Sequence, residues 1–111
     1  MAIHPNTPIL VGVGQLTVHW DGSAAVNAPD PQGLRADAAR AALADSGVAQ
    51  GLAQSIDRVI AVRTMLDSVQ DAPQPFGRCA NPPATLAADL GLSPRDAIYS
   101  WVGGDQPQAL V

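Results

Sequence analysis

The chain has 111 residues, 47% of them hydrophobic, 4% aromatic and 14% charged. That length suits one small domain and the apolar fraction is too high for disorder, while the longest apolar runs, such as Val59-Ile60-Ala61-Val62, fall far short of the ~20 residues that a bilayer span needs. The net charge is −4, and all 6 basic residues are arginines scattered along the chain, which excludes the clustered cations of a nucleic-acid surface and the polybasic patch of a membrane-surface protein.

Met1 to Asn6 has no basic start, and Pro5 and Pro8 interrupt any apolar core of a secretory leader. Ile9 to Val11 is a short continuous apolar run closed by Gly12-Val13-Gly14, and it reads as a buried strand. Gln15 to Pro29 has Gly, Ser, Asn and Pro without a period and reads as a loop. Asp30 followed by Pro31 is a cap-then-proline signal. It opens a helix over Pro31–Ser46 with Leu34, Ala38, Ala41, Ala42 and Asp45 on one face, stopped by Gly47. Val48 to Ser55 reads as a turn or helical fragment. Ile56 to Arg63 reads as a second buried strand with polar ends.

Thr64 to Ala80 is a long loop with Pro73, Pro75 and Gly77, of a length that is often functional or interfacial. Asn81-Pro82 repeats the cap signal, and Leu86, Ala87 and Leu90 share a face up to Gly91. Asp96 to Val102 reads as a third strand. Gly103-Gly104-Asp105-Gln106-Pro107 then turns into a new helix capped by Asp105, and the chain stops barely one turn later. The order β-α-β-α-β-(α) implies a parallel sheet covered by helices. One turn does not stabilise a helix by itself, so the 111 residues read as one portion of a longer α/β chain.

Gly12 and Gly14 invite comparison with a dinucleotide fingerprint, but Thr17 stands where the third glycine belongs and no helix starts there. They read as the tight turn that ends a strand, and a nucleotide-binding domain is the weakest of the functional readings. His4, His19 and Cys79 match no metal-ligand spacing. Cys79, the single cysteine, has no internal disulfide partner, which fits a reducing cytoplasm. Arg78 and the helix start at Asn81 are the kind of neighbours that activate a thiol, although an inert thiol is the plainer reading. Asp37 and Asp45 read as solvated charges, and Trp20 and Trp101 as packing residues.

The sequence-based substrate site is Gly103, Gly104 and Asp105. These residues join the end of a parallel strand to a helix N-terminus, where open α/β sheets bind ligands. Free N–H groups and the helix dipole there favour an anion or a developing oxyanion, and two glycines let a substrate approach the backbone. An ordinary strand-to-helix turn has the same spacing.

Six stretches carry a family resemblance: Thr7 to Gln15, Ala38 to Gly47, Ile56 to Val59, Pro75 to Pro83, Leu86 to Leu92, and Gly103-Gly-Asp-Gln-Pro-Gln-Ala-Leu-Val111. In this order they resemble the N-terminal part of the thiolase superfamily, and in particular the bacterial acetyl-CoA acetyltransferases near the sterol-carrier-protein type of thiolase. The resemblance implies a three-layer α/β/α half built on a five-stranded mixed sheet, with two such halves in a subunit. It implies a coenzyme A thioester as substrate, with no bound cofactor, and a homodimer or a partner subunit for the full-length protein.

In that family the third strand runs into a helix whose N-terminus carries a nucleophilic cysteine, which takes the acyl group as a thioester. The matching position is about Gly103, so the nucleophile is missing and no catalytic residue is assigned; Cys79 lies in another loop and does not inherit the role. The family's Asn-Glu or His-Asp loop, its Gly-His-Pro loop and its second cysteine would fall beyond Val111. The resemblance also puts the first strand at an edge, separated from the second and third by two strands that would follow Val111. The 111 residues alone are therefore not expected to be active. Two functions follow as expectations: an acyl-CoA protein, some cysteine-less relatives of which look like carbon–carbon lyases of steroid side-chain degradation, or a non-catalytic module that completes a thiolase-like assembly.

Overall fold

A computed structural model describes residues 2–64, 67, 71 and 76–100. After a short 3₁₀ turn at Ala25–Asn27 come helices α1 (Pro31–Asp45) and α2 (Ala49–Ser55), strand β1 (Arg58–Ala61), helix α3 (Pro82–Asp89) and strand β2 (Asp96–Tyr99). β1 and β2 pair in parallel, with Arg58 opposite Asp96 and Ala61 opposite Tyr99. This is the α/β arrangement that the alternation of strands and helices predicts. No helix among the described residues is long and apolar enough to cross a membrane.

The two predicted caps within the described residues form, and the third, Asp105, lies outside them. The Asp30 carboxylate accepts from the N–H of Gln32 at 3.2 Å and of Gly33 at 2.9 Å, with Pro31 at the first helical position. Asn81 does the same for α3, accepting from Ala84 N–H at 3.3 Å ahead of Pro82 and Pro83. α3 ends with Gly91 in the left-handed region at φ 66° and with Leu92 N–H donating to Ala87 O at 2.8 Å, a closing turn that glycine permits without strain.

The core is small: Ala36, Val59, Leu86, Ala87 and Leu92, with Ala39, Ala53, Ile56 and Leu90 packed around it. Burying one such large aliphatic side chain stabilises a fold by about 1.5–3 kcal/mol. The helix face that meets this core is not the predicted one. Ala36 and Ala39 face it, whereas Ala38 and Ala42 support the N-terminal segment and Ala41 is exposed.

The first predicted strand is absent. Residues 7–20 form no strand, and Ile9, Leu10 and Val11 are 75%, 83% and 49% exposed. The reason is pairing: among the described residues the sheet holds β1 and β2 alone, so an apolar run at that place has no ladder to join. The segment lies along α1 instead. A Cβ at Gly12 would collide with Ala42 O, and one at Gly14 with Ala38 O and Ala42 N. Gly12 and Gly14 thus serve a close approach of backbone to helix, not a strand-ending turn. Asp45, expected to be a solvated charge, accepts from Val13 N–H at 2.9 Å and ties the segment down.

Both remaining strands are shorter than predicted. The run Ile56 to Arg63 yields Arg58–Ala61. In Asp96 to Val102, residues Asp96–Tyr99 are strand and positions 101 and 102 lie outside the described residues.

Candidate functional site

Because β1 and β2 are parallel, their C-terminal ends lie on one side of the sheet, the side where open α/β folds take ligands. A polar network closes that side. Ser100, directly after β2, is only 2% exposed. Its hydroxyl accepts from Arg63 N–H at 2.8 Å, and its carbonyl accepts from Arg63 Nε at 2.9 Å. The Arg63 guanidinium lies over the Tyr99 ring, 4.7 Å from its centroid, and donates to Asp67 O at 3.4 Å. The Tyr99 hydroxyl donates to Asp67 Oδ2 and accepts from Thr64 N–H at 3.4 Å. Arg78 Nε stands 3.6 Å from the same carboxylate. The buried Ser100 thus has both its hydroxyl and its carbonyl partnered, as buried polar groups require, by two bonds from one arginine.

The sequence-based substrate residues Gly103, Gly104 and Asp105 lie outside the described residues, as do Trp101 and the predicted helix start. Ser100, the last described residue, precedes Gly103 by three positions in the sequence. Sequence reasoning did not single out Arg63, Asp67, Tyr99 or Ser100. The available signal was Arg63 as the polar end of an apolar run, but its pairing with Ser100 spans 37 positions and follows only from the parallel register.

Beside the network is a cleft of about 370 Å³ between the N-terminal ends of α1 and α3, with Gln32, Arg35, Asp67 and Cys79 among its walls. The Cys79 thiol is half-buried and donates to Thr85 Oγ1 at 3.2 Å. Arg78, the expected activating neighbour, points at Asp67 instead. A second depression of about 280 Å³ is almost wholly apolar and runs between Val11, α1, α2, β1 and α3, with Leu43, Leu52, Ile56 and Leu90 in its walls.

The other candidates are dispersed. His4 Nδ1 accepts from Asn6 N–H at 3.2 Å, and His19 is exposed. Among the described residues no three His, Cys, Asp or Glu side chains come together as a metal site would require. Asp37 pairs with Arg40 at 2.6 Å with both side chains more than half exposed, the solvated charge that was expected. Trp20 packs edge-on against Phe76, ring centroids 5.6 Å apart. The Asp21 carboxyl is held below the usual carboxylate range, first by its side-chain hydrogen bond with Ser23 and then by the Ser23 N–H, which donates at 2.8 Å.

No family model matches the chain, and no curated protein matches it. Among solved structures it is similar to a monomeric SCP2-thiolase like protein type 1 from Mycobacterium smegmatis, with a TM-score of 0.71 and 31% identity over 98% of this chain. The chain spans 19% of the length of that protein. The parallel β1–α3–β2 unit, its helix cover and this likeness together make the architecture a partial thiolase-like α/β fold.

Proposed function

We propose that the chain is the N-terminal part of a thiolase-like acyl-CoA acetyltransferase, or of an acyl-CoA-binding protein of lipid or steroid metabolism, working in the cytoplasm. The observation that carries this reading is the 31% identity to an SCP2-thiolase like protein over 98% of the chain. The sequence order supports it: Gly103-Gly104-Asp105 follow Ser100 after two residues, and Ser100 itself stands at the C-terminal end of the parallel strand β2, the end where open α/β sheets take ligands. In this reading the loop's N–H groups polarise a thioester carbonyl, and Asp105 caps the helix that follows. With glycine at 103 no acyl-enzyme forms at that position, so the protein holds the thioester without a covalent step there. Coenzyme A enters as part of the substrate, and the full-length protein is a homodimer or joins a partner subunit. Isothermal titration of the full-length protein with an acyl-CoA tests the reading. Saturable binding is expected, and no heat at millimolar ligand overturns it.

A second reading rests on a separate observation. Ile9, Leu10 and Val11 are exposed, an apolar depression lies beside them, and β1 pairs on one side only among the described residues. A non-catalytic module that docks a further strand or subunit would present such a surface. Light scattering on the 111-residue chain decides: a stable, well-folded monomer argues against this module.

A further inference from the structure

We draw no further inference here: the strongest candidate, the apolar depression that runs between Val11, α1, α2, β1 and α3 beside the exposed Ile9 and Leu10, is an unpartnered face, and nothing in the structure shows what covers it.

Discussion

Gly14→Ala tests how the N-terminal segment is held. The added methyl would overlap Ala38 O and Ala42 N, which are helix backbone and have no rotamer by which to move aside, so the segment must retreat from α1. Retreat breaks the bond from Val13 N–H to Asp45 Oδ2 at 2.9 Å. That pair is exposed, so its loss costs about 1 kcal/mol net of hydration. Overpacking in general costs about 1–3 kcal/mol. The segment's own docking energy caps the loss, because its large side chains stay largely in water: Ile9 is 75% and Leu10 83% exposed. The expected destabilisation is therefore about 1–2 kcal/mol. Gly51→Ala is the matched control. It sits inside α2 with nothing within 4 Å of the new carbon, so helix propensity alone acts and the fold gains ~0.5–1 kcal/mol. Urea unfolding of both variants, with hydrogen exchange at Val13, reads the two signs. A Gly14→Ala protein as stable as the parent, with Val13 still protected, refutes the close-approach reasoning.

Leu86→Ala should cost ~2–4 kcal/mol in the same assay, because Leu86 is 7% exposed in a core with few other large side chains. Asn81→Ala should cost about 1 kcal/mol by leaving the Ala84 N–H of α3 uncapped. Arg58→Ala removes two bonds to Asp96 Oδ2 at 3.2 and 2.9 Å, but with side chains 52% and 36% exposed the loss should be only ~0.5 kcal/mol at low salt and should fade in concentrated salt. In an NMR pH titration Asp21 should titrate below the ordinary carboxylate range, and Ser23→Ala should raise it. Since its folded value lies below the unfolded one, the slight stabilisation it gives is present above the unfolded value and lost as pH falls through the folded one.

Local signals were legible in the sequence because they act over a few residues. Asp30-Pro31 and Asn81-Pro82 open helices where they should, and Gly47 and Gly91 both adopt positive φ where helices stop. Pairing was less legible. Ile9 to Val11 has the composition of a strand, but a strand is a relation between two segments, and this run has no ladder partner among the described residues. The face of α1 depends on partners in the same way: the apolar count favours Ala38 and Ala42, which support a backbone segment, over Ala36 and Ala39, which meet the core. The network at the strand ends depends wholly on register. Arg63 reaches Ser100 across 37 positions, and no short-range pattern announces that distance.

The separation of the two strands has a kinetic consequence. The paired residues Arg58 and Asp96 lie 38 positions apart, and closing a loop of that size costs about 3 kcal/mol of chain entropy before any ladder bond forms. Four residue pairs then repay it. The contiguous α1–α2 hairpin bears no such cost. Folding should therefore begin in the helices and be timed by the closure of β1 onto β2, and the same ladder should be the first part of the core to open.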